Sequence, residues 1–382
     1  MLSRPIKILH CLGSLNPGGV ETWLLNVLRH IDRDQFQFDF CTFGNGVGLF
    51  ASEAQQLGSQ IHQCPRTPVS TLRGRFQNIL SEGQYDVVHS HVHFFSGALL
   101  RWAYAEGVPI RIAHSHSSHD GKPNSLPRGA YRKLMKSWIL RYATHGLAVS
   151  SAAAADLFSA NWKDDRRIGL LHYGINLERF SISVNRDLCR EQMNFRRNTP
   201  VVGHVGNFVA AKNHRYFLEV ASAILKRRPE VQFLMIGDGP FRAGIESRVQ
   251  ANGLRKNMHF LGTRTDVPSV LLGCFDALLF PSLWEGLPLA VIEAQAAGLR
   301  CVVSSEIGEE VVVFAEQVTR LPLSSGPEEW ATKVIEAVDR GRLDTEMCTK
   351  AVAKTDFCIE RSVNSLIDLY SERVAGARAA SN

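Results

Sequence analysis

The feature that most constrains the fold is an alternation of short apolar runs with helical segments, which occurs twice along the chain. The first series starts with the apolar run 6–12 and ends near residue 171, and the second starts at 200–205. Alternating strands and helices predict a parallel sheet that is covered by helices on both faces. Because the crossovers between parallel strands are right-handed, the loops that follow the strands open on one edge of each sheet. The sequence therefore predicts an α/β protein with two similar domains.

A polar stretch, residues 181–199, separates the two series and is predicted to be a linker with one helix. The chain has 382 residues, which is enough for two or three domains, and its 45% hydrophobic and 21% charged content is that of a soluble globular protein. The predicted domains cover residues 1–178 and 179–357. Residues 358–382 are predicted to form a C-terminal helix, over about 358–375, and a tail.

Eight cysteines are widely spaced and include no C-x-x-C pair. This distribution is typical of neither a zinc site nor a disulfide framework, so reduced thiols and a cytoplasmic location are expected. The apolar run 6–12 is too short for a signal peptide, and no run approaches the ~20 apolar residues of a membrane-spanning helix. The net charge of +6 and the pI of about 8.9 are consistent with an anionic ligand or an anionic membrane surface.

The most informative segment is 281–298, PSLWEGLPLAVIEAQAAG, which follows the apolar run FDALLF. The apolar run predicts a buried parallel strand, and the prolines and glycine after it predict a loop. Pro288 is predicted as the first residue of a helix, where its missing N–H costs nothing, and Gly298 ends that helix. Glu285 then lies in the loop and Glu293 lies about one turn into the helix, on either side of amides that can hold an anion. The alternative is that Glu285 only favours a helix start and that Glu293 is a solvated helix residue.

The segment contains an aromatic residue, then Glu-Gly-Leu-Pro, and a second glutamate eight residues after the first. This pattern resembles the E-x7-E element of the retaining glycosyltransferases of family four, the large group 1 family. The segment HYGINLERF, residues 172–180, resembles the element that connects the two domains of that family. The resemblance covers nearly all of the chain and is greatest with the enzymes of bacterial exopolysaccharide and capsule synthesis. It implies the GT-B fold, in which two Rossmann-like domains face a central cleft and a C-terminal helix packs back on the N-terminal domain.

The resemblance also assigns residues that bind the donor, a nucleotide-diphosphate sugar. Lys212 ends a loop after the first strand of the second domain and matches the family lysine that binds the diphosphate. Its alternative interpretation is a solvated cation at a helix start. Asn207 stands where the family has arginine, and Arg264 is an alternative source of that charge. Gly237, after the next strand, either lets the backbone approach the ligand or only forms a turn.

The glutamate segment supplies the remaining donor contacts that the resemblance implies. The amides around Gly286, Leu287 and Leu289 are expected to hold the diphosphate. Glu293 is expected to accept hydrogen bonds from the ribose, and Glu285 is expected to hold the hydroxyls of the transferred sugar and to act in catalysis.

The loop after the first strand contains Gly18, Gly19 and Glu21, which match a G-G-x-E loop that faces the cleft in the family. Gly18 and Gly19 are therefore expected on the donor side. The loop is not G-x-G-x-x-G, so a dinucleotide is not expected. The alternative is a simple tight turn before a helix that is predicted at 22–30.

Histidines cluster after the strands of the first domain, and they are His89, His91, His93, His114, His116 and His119. The family has a histidine here that bonds to the donor sugar, and His116 is its match, with His114 as the alternative and His91 in support. A capping or buried role and a zinc site are the other interpretations. Neither a metal nor another cofactor is expected, because the family generally needs none.

A basic helix is predicted at about 127–142, after a polar loop at 116–126. It carries five lysines and arginines together with Leu134, Trp138 and Ile139. Such a helix either lies on an anionic lipid surface or is an ordinary outer helix of the fold. The basic residues are scattered and no nucleic-acid-binding motif accompanies them, so nucleic acid is not an expected partner.

The sequence thus favours a retaining, metal-independent glycosyltransferase. The expected donor is a hexose on a nucleotide diphosphate, with uridine as the expected base, and the expected acceptor is a glycan or a lipid-linked saccharide. No carboxylate is placed as a covalent nucleophile, so front-face substitution is expected. The alternatives are an epimerase or phosphorylase on the same fold and an inactive sugar-binding scaffold subunit. The expected location is the cytoplasm, with contact to the inner face of the membrane as one of the two interpretations of the basic helix.

Overall fold

A computed structural model of the chain describes residues 4–44, 46–119, 121, 123 and 125–381. Three residues of the predicted polar loop, Asp120, Lys122 and Asn124, lie outside the described residues. The chain divides into two compact units. Unit 1 comprises Met1–Gly174 and Ile359–Asn382, and unit 2 comprises Ile175–Cys358.

Unit 1 contains a parallel sheet of seven strands with helices between them. The strands are β1 (Ile6–Leu12), β2 (Phe36–Thr42), β3 (Ile61–Gln63), β4 (Val87–Ser90), β5 (Ile110–Ser115), β6 (His145–Ala148) and β7 (Ile168–Leu170). The helices are α1 (Gly19–His30), α2 (Ala51–Gln56), α3 (Val69–Gly83), α4 (Ser96–Ala105), α5 (Leu126–Tyr142), α6 (Ser151–Leu157) and, at the end of the chain, α14 (Ile359–Ser381). The strand order is β3-β2-β1-β4-β5-β6-β7.

Unit 2 repeats this plan with six parallel strands. The strands are β8 (Val201–Val205), β9 (Gln232–Ile236), β10 (Met258–Gly262), β11 (Ala277–Phe280), β12 (Arg300–Ser304) and β13 (Val318–Leu321). The helices are α7 (Arg186–Gln192), α8 (His214–Arg227), α9 (Arg242–Ala251), α10 (Val267–Gly273), α11 (Leu289–Ala296), α12 (Pro327–Asp339) and α13 (Thr345–Val352). The strand order is β10-β9-β8-β11-β12-β13.

Burial on both faces explains why the strands are continuous apolar runs. All four residues of β11 are buried, which is typical of a strand covered by helices on both sides. In the core of unit 2, Phe217 on α8, Phe233 on β9 and Trp330 on α12 are each completely buried. Apolar side chains thus fix the sheet between its helices, and polar side chains with a chemical role are left to the loops at the strand ends.

Each sheet has one point at which the chain reverses its direction of winding. In unit 1 this point lies between β1 and β4, and in unit 2 it lies between β8 and β11. The loops that leave the carboxyl ends of these neighbouring strands diverge to opposite faces and leave a crevice. Ligands of open α/β sheets bind in such crevices. The topology therefore directs attention to the loops after β1 and β4 and after β8 and β11.

The predicted fold class is confirmed, and most predicted elements lie within three residues of the observed ones. Helix α1 begins at Gly19, so it takes in part of the predicted loop. Pro288 is the residue before α11, with φ −78° and ψ 90°, and is not its first helical residue as predicted. Strand β13 and helix α13 were not predicted; three of the four residues of β13 are only partly buried, so its apolar signal is weak.

Helix α14 packs on unit 1, as predicted for the C-terminal helix. The indole Nε1 of Trp23 donates a hydrogen bond to Ser362 Oγ at 2.8 Å, and Tyr370 is completely buried against the sheet. None of the helices in the described part of the chain combines the length and the apolar character that crossing a bilayer requires.

Candidate active site

The crevice of unit 2 brings together two of the residues that the sequence singles out. Lys212 ends a short 3-10 helix, Ala210–Lys212, in the loop after β8, and Glu285 lies in the loop after β11. The Lys212 Nζ lies 2.7 Å from Glu285 Oε1, and the two side chains are only 16% and 12% exposed. The ammonium also lies 4.6 Å from the ring centroid of Phe280. Lys212 is therefore a partly buried, paired cation, and its interpretation as a solvated helix start does not fit.

Backbone contacts hold the two loops in place. The Leu283 amide donates to the Ala211 carbonyl at 2.7 Å, which joins the loop after β11 to that after β8. A Cβ at Gly206 would come within 2.8 Å of Lys212 Cε, so a larger residue there would displace the lysine side chain. The packed loops therefore hold the Lys212 ammonium in place, unlike the ammonium of a mobile lysine on the surface.

On β8 and in the loop after β11, the segments that lead to this ion pair, buried polar atoms lack hydrogen-bond partners within the described residues. The Nδ1 of His204 donates to the Leu279 carbonyl at 3.0 Å, so its Nε2 carries a lone pair, and that atom and Ser282 Oγ are buried without a partner. Both residues are 0% exposed. Since buried polar groups are nearly always paired, these atoms mark the crevice as a place for a polar ligand or water.

Gly237 is explained by a contact between loops. Its φ is +134°, and a Cβ there would lie 2.2 Å from the Gly206 carbonyl oxygen. Glycine is therefore required because the loop after β9 presses directly on the loop after β8. Gly237 shapes the site by supporting the loop of Lys212.

Glu293 lies in α11, in the turn that follows the helix start. Burial raises its pKa to about 7, and the charge of Arg179 opposes this rise. The side chains of Leu287 and Leu289 are buried, so these two residues can offer a ligand only their backbone. The first amides of a helix have no partner within the helix, so an anion can be held at the start of α11, after Gly286, with Glu293 about one turn away.

Arg264, which the sequence offers as a second cation of the site, is paired within its own loop. Arg264 makes two hydrogen bonds to Asp266, at 2.7 and 2.6 Å, within its own loop, so its charge is largely compensated there. Asn207 is exposed. Arg179, which the sequence interpretation left unassigned, donates to the Thr265 carbonyl and acts on Glu293. Its position next to the last residue of the connecting segment 172–180 was the only available signal.

In unit 1, Gly18 precedes α1 in an extended conformation. A side chain at Gly18 would lie 2.4 Å from Glu21 Oε2, and one at Gly19 would lie 3.7 Å from the ring of Tyr173. Burial raises the pKa of Glu21 to about 7. The two glycines thus let Glu21 fold back over the helix start, beside Tyr173, at the crevice between β1 and β4.

Four side chains in unit 1 form a continuous series of hydrogen bonds, which we call the imidazole chain: His10, His91, His116 and Tyr173. His10 Nδ1 lies 3.0 Å from His91 Nε2, and His91 Nδ1 lies 2.7 Å from His116 Nε2. The Nδ1 of His116 is in contact with the Tyr173 hydroxyl. Both ring nitrogens of His116 are therefore engaged, so contact with a sugar hydroxyl requires that one of these bonds be released.

His114 belongs to a second, parallel series. Its Nδ1 lies 3.1 Å from His89 Nε2, and His89 Nδ1 lies 2.7 Å from the hydroxyl of Tyr370 on α14. His114 is completely buried. Of the two histidines that the sequence left open, His116 is the one that retains exposed surface.

The histidines are also close enough to consider a metal. Within the described residues, two sets of three, His10 with His89 and His91 and His91 with His114 and His116, bring ligand atoms within 4.8 Å of one another. Two imidazole nitrogens on one tetrahedral zinc, each ~2.0–2.1 Å from it, lie about 3.3 Å apart. The 2.7 and 3.0 Å separations to His91 are instead those of direct hydrogen bonds. The arrangement fits paired imidazoles better than metal ligands.

Comparison with known proteins gives matches along the whole chain. The family model "Glycosyltransferase Family 4" matches residues 17–179, and the model "Glycosyl transferases group 1" matches residues 185–354. EpsF of Bacillus subtilis (strain 168), which is named as a glycosyltransferase, is 31% identical over 378 residues, which are 97% of this chain and 98% of EpsF.

Two further relatives carry more specific names. The capsular polysaccharide biosynthesis glycosyltransferase CapH of Staphylococcus aureus is 28% identical over 88% of this chain and 91% of its own. The UDP-Gal:alpha-D-GlcNAc-diphosphoundecaprenol alpha-1,3-galactosyltransferase of Escherichia coli is 29% identical over 78% of each chain. Among solved structures, Anabaena Alr3699/HepE in complex with UDP-glucose is 18% identical, with a TM-score of 0.77 over 96% of this chain and 100% of that one.

Proposed function

Because the chain belongs to glycosyltransferase family four, the group 1 glycosyltransferases, we propose that it transfers a hexose from a UDP-sugar, with retention, to a lipid-linked or growing glycan acceptor. The predicted family and GT-B fold are confirmed by these relatives and by the structural match to HepE. Synthesis of an exopolysaccharide or a capsule, on the cytoplasmic side of the membrane, is the role we assign to the reaction.

The observation that carries this proposal is the pair of Lys212 and Glu285 in the crevice of unit 2. A lysine ammonium has three hydrogens to donate, and Glu285 takes one of them at 2.7 Å, so hydrogens remain for the oxygens of a diphosphate. The amides at the start of α11 add further donors. As the bond between the sugar and the diphosphate breaks, negative charge grows on the leaving oxygens, and preorganised donors there lower the barrier.

The two glutamates are assigned to different parts of the donor. Glu285, next to Lys212, accepts hydrogen bonds from the hydroxyls of the sugar. Glu293, on α11, accepts from the ribose hydroxyls. In the proposed front-face step, the bond from the anomeric carbon to the phosphate oxygen breaks while the acceptor oxygen bonds to the same face of that carbon. The acceptor proton passes to the departing phosphate, so no protein carboxylate is consumed. His116, once one of its two bonds is released, offers a nitrogen to the sugar.

The names of the relatives support the choice of substrates. The Escherichia coli relative uses UDP-Gal and an undecaprenol-linked acceptor, CapH is named for capsular polysaccharide biosynthesis, and HepE was solved with UDP-glucose. A uridine nucleotide and a lipid-linked saccharide are therefore the first donor and acceptor to test. The alternative of an inactive scaffold subunit draws support from exposed Asn207 and from the pairing of Arg264 with Asp266, which leave the site with one fewer available cation.

Turnover of the donor distinguishes these functions, and Lys212 is the residue to change. Lys212→Ala is expected to raise the KM for the UDP-sugar and to lower kcat, by roughly tenfold to a hundredfold in kcat/KM, because a charge-assisted contact to phosphate contributes roughly 1.5–3 kcal/mol. Release of UDP from candidate donors, with and without acceptor, is the measurement. Lys226→Ala, which removes an exposed lysine from α8, is the matched control.

Two outcomes would count against the proposal. Unchanged kinetics in Lys212→Ala would remove the lysine from the donor site. Binding of UDP-sugars without any release of UDP in the wild-type protein would favour the scaffold. The same assay with excess EDTA tests the proposed independence of metal, and loss of the rate with recovery on adding manganese or magnesium would contradict it.

Contact with a membrane is part of the proposal and rests on α5. Its solvent-exposed side combines Lys133 and Arg141 with Leu134 and Leu140, and Leu126 at its start is 93% exposed. Cations flanking exposed leucines suit the headgroup region of an anionic bilayer.

The double variant Lys133→Glu with Arg141→Glu is expected to weaken binding to anionic vesicles by at least about thirtyfold, since each basic residue near such a surface contributes about 1 kcal/mol. Flotation with phosphatidylglycerol vesicles at low salt is the measurement, and Lys226→Glu with Lys256→Glu in unit 2 is the control. Equal flotation of both double variants would assign α5 to the fold alone.

A further inference from the structure

We propose that His10 and His91, neither of which is exposed enough to meet a substrate directly, are positioning residues that fix the direction of the hydrogen bonds through His116 to Tyr173. His10 lies on β1 and is 0% exposed, and His91 follows β4 and is 9% exposed. The two join the interior of the sheet to the crevice of unit 1. Only the kinetic part of this inference rests on the proposed function.

The imidazole chain permits only two arrangements of its protons. A neutral imidazole donates from one nitrogen and accepts at the other, so placing one proton determines every other link. Burial keeps the histidines neutral, since it lowers the pKa of His10 and of His116 to about 3 and that of His91 well below its usual value. The protons therefore all point toward Tyr173 or all point toward His10.

The surroundings of His10, at the inner end of the imidazole chain, select between the two arrangements. The Nε2 of His10 is buried without a hydrogen-bond partner among the described residues. The centroid of its ring lies 4.5 Å from that of Phe38 and 5.7 Å from that of Phe40. If the protons pointed inward, an unpaired N–H would be buried against these rings. If they point outward, Nε2 keeps only a lone pair there. The outward arrangement leaves a donor on Tyr173 instead, but a hydroxyl hydrogen can rotate and turn toward Glu21, whose charge acts on Tyr173, whereas the N–H of His10 is fixed in its ring. Orphaned buried N–H groups are rarer than under-used acceptors, so the outward arrangement is favoured.

The outward arrangement has a definite consequence at the crevice. His10 Nδ1 donates to His91 Nε2, His91 Nδ1 donates to His116 Nε2, and His116 Nδ1 donates to the oxygen of Tyr173. The hydroxyl hydrogen of Tyr173 is then directed away from His116. Tyr173 lies beside the Gly18–Gly19 start of α1, where a side chain at Gly19 would be 3.7 Å from its ring. A ligand that takes the place of Tyr173 at His116 therefore meets a hydrogen-bond donor, the N–H of His116.

Two substitutions of His10 test the inference directly. An asparagine amide can occupy the position of Nδ1 and donate to His91, whereas leucine fills the space without donating. In protein labelled with 15N at histidine, the ring signals report which nitrogen of His116 is protonated, and a His116→Gln sample identifies those signals. We expect His116 to be protonated at Nδ1 in the wild type and in His10→Asn, and to change its protonated nitrogen or to become a mixture in His10→Leu.

Kinetics supply the second measurement. In His10→Leu, kcat for transfer is expected to fall about tenfold or more while the affinity of unit 2 for UDP is unchanged, and His10→Asn should recover most of the rate. His30→Leu, on the outer part of α1, is the control for a lost histidine. His116 protonated at Nε2 in the wild type, a signal unaffected by His10→Leu, or stoichiometric metal in the purified protein would each overturn the inference. If the wild type has no transferase activity, the proposed function fails, but the NMR result still decides this inference.

Discussion

Unit 1 is expected to unfold when the pH is lowered from 7 to about 5, at a pH where proteins of similar size usually remain folded. Five neutral histidines lie in or directly after the strands of its sheet, four of them buried and His116 partly buried, and they are His10, His89, His91, His114 and His116. Burial lowers the pKa of each, to about 3 for His10 and His116 and well below the usual value for the other three. In the unfolded chain each histidine titrates near 6.5.

The direction of the effect follows from these values. Below pH 6.5 the unfolded state binds protons that the folded state does not bind, so acid favours unfolding. Each histidine lowers the free energy of unfolding by about 2 kcal/mol between pH 7 and pH 5. Glu21 has the opposite effect, because its pKa is raised to about 7 in the folded state. As the pH falls to 5, the folded state binds this proton before the unfolded state does, which raises the free energy of unfolding by about 2 kcal/mol. The net loss of about 8 kcal/mol is comparable with the whole stability of a typical domain.

Urea unfolding followed by circular dichroism at a series of pH values measures this loss. The slope of the unfolding free energy against pH counts the protons taken up on unfolding. His10→Leu should reduce that count by about one. Phe38→Leu, which alters a neighbour of the same ring but removes no titratable group, should lower stability without changing the slope. A stability that is constant from pH 7 to pH 5 would mean that the histidines are not held neutral by burial.

The sequence predicted two parallel sheets and most of their elements, except β13 and α13, and it assigned Lys212 and Glu285 to one site. Lys212 and Glu285 are 73 positions apart, and their pairing could be expected because loops after neighbouring parallel strands share an edge. For Gly237 the sequence left open whether the backbone approaches a ligand or only turns, and its contact with Gly206 depends on how two loops pack. The strand pattern of a sequence indicates which loops share an edge of the sheet, but it does not indicate how closely two of those loops pack.

The imidazole chain shows the limit of sequence interpretation more clearly. His91 and His116 attracted attention because they follow strands, but His10 lies inside an apolar strand, where an isolated histidine gives no signal of its own. Which nitrogen faces which partner depends on side-chain rotation and on strand register; His10 and His89 are direct neighbours across β1 and β4. Tyr173 could not be connected to His116, 57 positions earlier, by any periodic pattern. The sequence thus located His91 and His116 at strand ends without determining their hydrogen bonds.

Glu293→Gln and Glu285→Gln are expected to have opposite effects on nucleotide binding and turnover. Glu293→Gln keeps the shape of the side chain but removes the carboxylate that we assign to the ribose. It should therefore weaken the binding of UDP and of the UDP-sugar by similar factors, about tenfold. Because burial raises the pKa of Glu293 to about 7, the carboxylate is present mainly above pH 7. In the wild type, UDP should therefore bind more tightly as the pH rises through 7, and this dependence should be absent in the glutamine variant.

Glu285→Gln should instead leave UDP affinity intact or increase it. The substitution removes the negative partner that lies 2.7 Å from Lys212, so the ammonium retains more of its charge for the diphosphate. It should lower kcat by about a hundredfold, because the hydrogen bonds that orient the sugar as its bond to phosphate stretches are weakened. Calorimetry with UDP across the pH range, together with steady-state kinetics on both variants, measures all of these quantities. Loss of UDP binding in Glu285→Gln with normal binding in Glu293→Gln would reverse the assigned roles. If neither variant differs from the wild type in binding or rate, the pairing of Lys212 with Glu285 is structural and the donor lies elsewhere.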